Sequence, residues 1–486
     1  MNSYNKEAVS GVKWTSLSSI IVAGGSFALI LVLTNILDKK DFGLFALVNI
    51  VVGFSSEFVD IGISQAIIQK QQISNKQLST LYWFNIILAI LVFLAINASK
   101  FFIGNLYDEQ ELPTLLGLVS FSFLFSGISS QYQALLQKNL RFKLMAGFDI
   151  VAFIVYICLT LSLAYLDYGV YALIWGTLAR TVVKTILLLI NGLKSHIPIF
   201  YFNIGEVKNF INFGSYRTGA LLVNFASSQL DSILIGKYIG VTELGVYDIF
   251  KRLIKKTIQI TSPLLSKIIF PILSKLHDSK EKYKKATITY FEISNIIRVS
   301  MLIFISIFSK EIIILLMNDN WISYSYILIF LAFIFIFKSM YNFIDWIFLS
   351  SGKANYVFNT NLISFLINLI CIYSIINFGT KILLIVLLLI NISVLNLKYF
   401  KLFRFIKILN SKFYLRNFVA FPLSVFLIFL VLYIIQFSNI YLQIISKLLL
   451  YIIFIVLTVK IVFKINIKGI LNNIINEAQS LFNRCT

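Results

Sequence analysis

Long apolar runs follow one another along the whole chain and are separated by short polar connections. Most runs hold about 20 residues or more, which lets a helix cross a hydrocarbon core about 30 Å thick. A membrane barrel would show shorter segments of alternating polarity. The pattern predicts an all-α integral membrane protein with about fourteen transmembrane helices. The predicted spans are 12–37, 42–69, 78–103, 113–137, 146–166, 169–192, 212–236, 244–270, 286–309, 322–350, 355–376, 380–400, 415–436 and 440–463.

Composition agrees with a membrane class. Hydrophobic residues make up 59% of the 486 residues and charged residues only 13%, whereas a soluble globular chain is about one quarter charged. The first apolar run is too long for the core of a cleavable signal peptide and lacks a small-residue cleavage site, so it is expected to remain as the first span. Trp14, Trp83 and Trp321 fall near predicted span ends and are expected to lie in the interfacial aromatic belts.

Lysine and arginine collect in alternate connections, which explains the net charge of +21 without nucleic acid as a partner. Cytoplasmic connections of membrane proteins are enriched in these residues, so both termini are predicted to be cytoplasmic. Lys447 is expected to reach a headgroup region. The basic connections include Lys70, Lys76, Lys138, Arg141, Lys143, Lys194, Lys208, Lys275, Lys353, Lys398, Lys401 and Arg404.

Two short segments resemble each other. LDKKDFGLFAL begins at Leu37 and IGVTELGVYDI begins at Ile239, so that Asp41 aligns with Glu243 and Gly43 with Gly245 at a spacing of 202 residues. This spacing equals the distance from the first predicted span to the seventh, which predicts two six-helix lobes in the same orientation. The predicted domains are an N-terminal lobe 1–192, a cytoplasmic linker 193–211, a C-terminal lobe 212–400, and two further helices with a cytoplasmic tail in 401–486.

Four cations lie within one predicted span, in the segment KYIGVTELGVYDIFKRLIKKTIQI that begins at Lys237. Helical periodicity places Lys251, Arg252 and Lys255 on one stripe with Lys256 at its border, opposite an apolar face. A charge at the bilayer centre costs at least about 2.5–3.5 kcal/mol. The stripe is therefore expected to face a wet cavity that takes an anion.

Other predicted spans also contain ionisable residues. With the four cations of the stripe, nine cations stand against six acids, which predicts a cavity of net positive charge. Lys184, Arg217 and Lys338 could alternatively snorkel to the interface or pair with an acid. The further cations are Arg180, Lys184, Arg217, Arg298 and Lys338, and the acids are Glu57, Asp60, Asp231, Asp248, Glu292 and Asp345.

Motifs of catalysis and cofactor binding are missing from the sequence. It contains no Walker A, GxSxG or HExxH motif, and no connection is long enough to fold into a catalytic domain. The three cysteines and two histidines show no metal-binding spacing. These observations favour a transporter without a cofactor or metal, driven by an ion gradient, the membrane potential or the substrate gradient.

Four stretches together resemble one family. They are KDFGLFALVNIVVGFSSEFVDIGISQAIIQ (40–69), LSTLYWFN (78–85), DSILIGKYIGVTELGVYDIFKRL (231–253) and IIFPILSKLHDSKEKYKKA (268–286). With their order and spacing, the chain resembles the polysaccharide-exporter branch of the multidrug/oligosaccharidyl-lipid/polysaccharide (MOP) exporter superfamily, the Wzx-type O-antigen and capsule-repeat flippases. The resemblance covers about the first 400 residues.

The resemblance implies a V-shaped, MATE-like bundle with alternating access in a bacterial cytoplasmic membrane. Its ligand would be a polyprenyl-diphosphate-linked oligosaccharide, whose diphosphate suits lysine and arginine. Its partners would be the lipid bilayer and glycan polymerase machinery. Ion coupling would use membrane acids, and the candidates are Glu57, Asp60, Asp231, Asp248 and Asp345.

Three alternatives stay open at this point. A drug exporter of the same architecture would want an acidic cavity for cationic drugs, which a basic stripe does not supply. A flippase for the peptidoglycan lipid precursor would be essential for growth. A non-transporting scaffold for glycan polymerisation would not need the cations.

Overall fold

The computed structural model describes residues 2–59, 64, 67–68, 70, 72–203, 205, 221–222, 224–264, 280–405 and 440–458. Every regular element within them is helical. The α-helices are α1 Asn2–Leu33, α2 Lys39–Val59, α3 Asn75–Tyr107, α4 Leu112–Lys138, α5 Phe142–Tyr165, α6 Val170–Gly192, α7 Val241–Leu264, α8 Lys280–Ile307, α9 Ser309–Leu316, α10 Ser325–Ser350, α11 Ala354–Ile375, α12 Thr380–Phe405 and α13 Ile440–Thr458. A helical segment over 224–234 continues into a π-helical turn at Ile235–Ile239, and 3₁₀ turns lie at Asp319–Tyr324 and Ile376–Phe378.

Within the described residues, ten helices are long and apolar enough to cross a membrane. They match the first six predicted spans and the ninth to twelfth. The predicted span 244–270 corresponds to α7 as far as Leu264, where the described helix ends. The cations of α7 make it less apolar than these ten helices. The span 415–436 and the first part of 212–236 lie outside the described residues, and 440–463 corresponds to α13. The total of fourteen stays a prediction.

Local sequence explains where several helices begin. Ser74 opens α3 with a capping box: its Oγ accepts the Gln77 N–H at 3.2 Å, and the Gln77 side chain accepts the Ser74 N–H. Asp41 at the start of α2 also caps α6, because its Oδ1 accepts the Val170 N–H at 3.1 Å. A carboxylate is favourable there, since the helix N-terminus carries partial positive charge. The aspartate of the repeated motif therefore ties two helices together.

The chain divides into two compact units, residues 1–248 and 249–486, and the division falls inside α7. In the first unit α3 packs against α4, α5 against α6, α4 against α6, and α1 against α5. In the second unit α10 packs against both α8 and α12, and α11 packs against α12. The predicted lobe boundary at the linker 193–211 stays a prediction.

The helix α13 is fixed to the second unit by buried polar contacts. The Lys447 ammonium contacts Glu311 Oε1 of α9 at 2.6 Å, and both side chains are at most 5% exposed. The Tyr451 hydroxyl donates to the Ser300 carbonyl of α8. The expectation that Lys447 reaches a headgroup region is therefore wrong, because a carboxylate inside the protein takes its charge. Trp321 is likewise not a belt residue, since it is 2% exposed and packs on Phe250.

The two copies of the repeated motif contact each other within the first unit. A methyl group at Gly43 would overlap the carbonyl oxygen of Val241, and one at Gly245 would overlap the carbonyl oxygen of Lys39. Val241 and Lys39 are themselves equivalent positions, 202 residues apart. The contact is therefore reciprocal, as a two-fold axis between α2 and α7 requires.

Candidate functional site

The cationic stripe lies on a single helix, α7. Its apolar face is packed: Ile249, Phe250, Leu253 and Ile254 are at most 4% exposed. Lys251 is also buried, at 2% exposure. The other three cations, Arg252, Lys255 and Lys256, are partly exposed. Periodicity placed Lys251, Arg252 and Lys255 on one stripe, but Lys251 is as buried as the apolar face, so only Arg252, Lys255 and Lys256 have the partial exposure expected of a cavity lining.

In the first unit, Arg180 and Lys184 lie one turn apart on α6 and both face α5. The Arg180 guanidinium lies over two aromatic rings of α5, at 5.5 Å from the Phe153 centroid and 6.0 Å from the Tyr156 centroid. The Lys184 ammonium forms an ion pair with Asp149 at 2.8 Å. Sequence reasoning missed Asp149, although a lone acid within an apolar span was a visible signal for it.

The Lys184–Asp149 pair lies at membrane depth. Asp149 is about 10 Å from the start of α5, and Lys184 is about 12 Å from the end of α6, at 1.5 Å per residue. The side chains are 30% and 34% exposed. Charged side chains in membrane-spanning helices face water or polar groups rather than lipid tails. We therefore expect this face of α5 and α6 to line a hydrated space.

A cysteine-reactivity experiment tests that expectation. Cys158, Cys371 and Cys485 would be replaced by serine, and one cysteine introduced at Asp149. This thiol is expected to react with a charged, membrane-impermeant thiol reagent at least about ten-fold faster than a cysteine at Ile154, because such reagents need water. Ile154 is a matched control on the same helix, and its side chain is 52% exposed. Equal, slow reaction at both positions would contradict a hydrated face.

The remaining predicted cations of the second unit contact aromatic rings. Arg298 on α8 is 5% exposed, and its guanidinium lies 5.8 Å from the Trp346 ring centroid. The Lys338 ammonium lies 5.4 Å from the Phe335 ring centroid. Arg217 lies outside the described residues. A cation–π contact helps to hold such a side chain in place.

One of the predicted ion-coupling acids, Asp231, has defined hydrogen-bond partners, one of them on α7. Asp231 accepts a hydrogen bond from the Tyr247 hydroxyl at 2.5 Å and another from the Ser232 N–H at 2.8 Å. Asp248 follows Tyr247 and is half-buried. Glu57 on α2 is half-buried too, whereas Asp60 lies outside the described residues. The carboxylate of Asp231 is thus held in one orientation.

Asp345 belongs to a buried polar cluster that joins three helices of the second unit. Both of its oxygens accept from the Lys398 ammonium, at 2.7 and 2.8 Å, and Asn361 Oδ1 accepts at 2.8 Å. The ammonium also lies 4.6 Å from the Tyr341 ring centroid. Lys398 is 1% exposed, so its assignment to a cytoplasmic connection is wrong. The predicted span 380–400 already contained Lys398, although the count of basic residues assigned it to the connection that follows, and α12 continues to Phe405.

The predicted site cations are candidates for binding an anionic group. Among the predicted site cations that the structure describes, some contact aromatic rings, one pairs with an acid and four lie on the α7 stripe. Together they supply several ammonium and guanidinium donors on predicted membrane spans. Such donors suit phosphate or carboxylate oxygens. No group of His, Cys, Asp and Glu in the described part of the chain could hold a metal ion.

The fold is similar to that of solved membrane transporters. The structure of the lipid II flippase MurJ in an inward closed conformation superposes with a TM-score of 0.73 at 16% identity, covering 93% of this chain and 99% of that one. An inward-facing multidrug resistance MATE family transporter of the MOP superfamily gives 0.58 at 13% identity, covering 80% of this chain and 98% of that one. At these identities the likeness concerns the fold alone.

Residues 32–326 match the family of polysaccharide biosynthesis proteins, and the chain belongs to that family. The lipopolysaccharide biosynthesis protein WzxC of Escherichia coli K12 is 24% identical over 361 residues, which covers 74% of this chain and 73% of WzxC. The teichuronic acid biosynthesis protein TuaB of Bacillus subtilis is 27% identical over 365 residues, which covers 74% of each chain. The resemblance found in the four sequence stretches is thereby confirmed.

Proposed function

We propose that the protein is a flippase for polyprenyl-diphosphate-linked oligosaccharide repeat units of a surface polysaccharide. It moves them from the inner to the outer leaflet of a bacterial cytoplasmic membrane. The observation that carries the proposal is the cationic stripe on α7 in a member of a polysaccharide biosynthesis family. The four cations lie within about one and a half helical turns and repel one another, and a bound anion would offset that repulsion.

The chemistry of the stripe suits a diphosphate. Arg252, Lys255 and Lys256 are partly exposed, while the opposite face of α7 is fully packed. Lysine and arginine form short, charge-assisted hydrogen bonds with phosphate oxygens. The polyprenyl tail would stay in lipid while the headgroup crosses a hydrated cavity. Arg180, Lys184, Arg217, Arg298 and Lys338 would add to the positive field around the headgroup.

The proposed transport cycle uses alternating access of two lobes, 1–192 and 212–400, joined by the linker 193–211. Both termini would be cytoplasmic, and the helices within 401–486 would complete fourteen spans. An ion gradient would drive the cycle through one or more membrane acids. The candidates for that coupling remain Glu57, Asp60, Asp231, Asp248 and Asp345. Polymerase machinery for the glycan would receive the product on the outer face.

A second candidate is a flippase for the peptidoglycan lipid precursor, which the fold likeness to MurJ favours. A MATE-like multidrug exporter is a third, but its cationic substrates would be repelled by the stripe on α7. Complementation separates the three. The proposed function requires restored glycan display, the second requires growth rescue of cells lacking their peptidoglycan precursor flippase, and the third requires drug resistance with glycan display unaffected.

Neutralising the stripe tests the proposal directly. Lys251, Arg252, Lys255 and Lys256 would be replaced by glutamine, singly and together, in cells lacking the native gene. Each single change at the partly exposed Arg252, Lys255 or Lys256 is expected to weaken binding about ten-fold or more and so to reduce glycan display, because one charge-assisted hydrogen bond contributes about 1.5–3 kcal/mol. The quadruple variant is expected to abolish display and to accumulate lipid-linked repeat units on the inner leaflet.

Two controls separate transport from folding. The first control is the membrane level of each variant. In the second, the exposed residues Lys282 and Lys285 at the start of α8 would be changed to glutamine, which removes two positive charges outside the stripe. Full glycan display from the quadruple variant would show that the stripe is structural and would overturn the diphosphate site.

A further inference from the structure

The first part of the linker after α6 is attached along the start of α3. The Ile199 N–H donates to Ser79 Oγ at 3.1 Å, and the Trp83 indole N–H donates to the Ile199 carbonyl at 2.9 Å. The Asn203 N–H donates to Thr80 Oγ1 at 3.4 Å. Ser79, Thr80 and Trp83 all belong to the LSTLYWFN stretch. This motif therefore holds the linker, a role separate from the cationic site.

Further contacts hold the same segment. The Tyr132 hydroxyl of α4 donates to the His196 carbonyl at 3.4 Å. The Lys76 ammonium lies 5.3 Å from the Tyr201 ring centroid. The backbone over 196–203 is thus held by hydrogen bonds with side chains of α3 and α4.

The segment presents large apolar side chains outward. Phe200 is 95% exposed and Ile197 is 71% exposed. Phe202 and Ile199 are also exposed, at 46% and 49%. The Phe200 ring stacks on Trp83, with centroids 4.8 Å apart and planes 24° apart. Contiguous exposed apolar side chains of this size mark a surface that another phase or molecule covers.

The surroundings of the segment indicate lipid as that phase. Ile186 and Ile190 of α6 and Leu193 directly after it are exposed apolar residues, and Ile197 follows them one turn further along the chain. On α3, Trp83 precedes exposed Ile87 and Leu91 at intervals of four residues. The surface of the segment is therefore continuous with the apolar faces of two membrane-spanning helices.

Helix length places the segment at the edge of the bilayer. The helix α3 has 33 residues and is about 50 Å long, against a hydrocarbon core of about 30 Å. The predicted span within it begins at residue 78, so Ser79 and Thr80 are expected at the edge of the core and Trp83 near the boundary where aromatic residues collect. Lys76 and Lys194 are exposed beside the segment, where anionic headgroups would attract them.

We propose that residues 197–202 form a lipid anchor, in which Ile197, Phe200 and Phe202 enter the boundary between headgroups and acyl chains. The LSTLYWFN stretch holds the anchor at this depth, and Lys76 and Lys194 contact anionic headgroups. The inference is independent of the transported substrate. It means that the connection between the predicted lobes is attached to the membrane surface rather than free in water.

Depth-dependent fluorescence quenching tests the anchor. A cysteine at Phe200, in the full chain with its three native cysteines replaced by serine, would carry an environment-sensitive fluorophore. The protein would be reconstituted in vesicles of phosphatidylethanolamine and phosphatidylglycerol containing nitroxide-labelled lipids. A nitroxide near the headgroup is expected to quench the probe at least about two-fold more than one at the acyl-chain end. Aqueous iodide is expected to quench it weakly.

Matched positions calibrate the depth. A probe at Leu91 in the middle of α3 is expected to be quenched best by the nitroxide at the chain end, and one at Asp108, beyond the end of α3, mainly by iodide. A probe at Ile197 repeats the measurement if the Phe200 variant does not fold. Replacing Ser79 and Thr80 with alanine is expected to reduce shallow quenching at Phe200 and leave Leu91 unchanged. If neither nitroxide quenches the probe at Phe200 and at Ile197, the anchor is overturned. Strong iodide quenching would then show that water covers the segment, and weak iodide quenching would show that protein covers it.

Discussion

Replacing Lys398 with methionine is expected to lower the free energy of unfolding by about 3–5 kcal/mol, because it leaves the Asp345 carboxylate buried without its cation. The ammonium is held by three oxygens within 2.8 Å and is 1% exposed. At this buried position, water does not replace the ammonium at low free-energy cost. The measurement is the thermal melting of detergent-purified protein, followed by its loss from the monodisperse peak in size-exclusion chromatography.

A double variant separates the loss of the pair from the loss of volume. Lys398→Met combined with Asp345→Asn removes both charges and is expected to recover most of the lost stability. Lys401→Met on the same helix serves as the control and should change stability by less than about 0.5 kcal/mol. An equally stable Lys398→Met protein would show that Asp345 does not depend on the ammonium and would favour a protonated carboxyl.

Replacing Gly43 or Gly245 with alanine is expected to cost about 1–3 kcal/mol of stability each. Each new methyl group would meet backbone atoms of the partner helix rather than the end of a flexible side chain. Backbone cannot move aside alone, so α2 and α7 would have to separate. Thermal melting measures the loss, and glycan display in cells reports whether the separated helices still support function.

Gly147→Ala on α5 is the matched control, since nothing lies within 4 Å of its added methyl group. It should be neutral or slightly stabilising, as alanine is the better helix former. The Gly43 and Gly245 variants should be similar in effect because the contact is reciprocal, and the double variant should cost less than the sum. Melting of Gly43→Ala at the same temperature as the control would contradict the close contact.

The helices were predictable because the bilayer restricts the solutions. An apolar run of sufficient length must be a helix there, and ten described helices match predicted spans. The stripe on α7 was predictable for a related reason. A helical period of 3.6 residues divides charged from apolar positions, and Phe250 and Leu253 on the apolar face are buried as expected.

The partners of the charges were not predictable, because pairing between helices depends on packing that a single sequence does not encode locally. Lys184 and Asp149 are 35 residues apart, and Lys398 and Asp345 are 53 residues apart. The count of basic residues assigned Lys398 to a connection because it recognises a cation and not the buried acid opposite it. The prediction for Trp321 was wrong for a similar reason, since an aromatic residue near the end of a span fits both an interfacial belt and a packed core.

The reciprocal contact of Gly43 and Gly245 also bears on the origin of the fold. A contact in which each of two equivalent glycines meets the same partner position is the geometry of a symmetric homodimer. A half-length ancestor pairing with its own copy would have used one glycine for both sides. After duplication and fusion into one chain, each side would be free to change alone. Asp41 and Glu243, or Phe45 and Tyr247, would then be positions that diverged around a glycine that both sides keep.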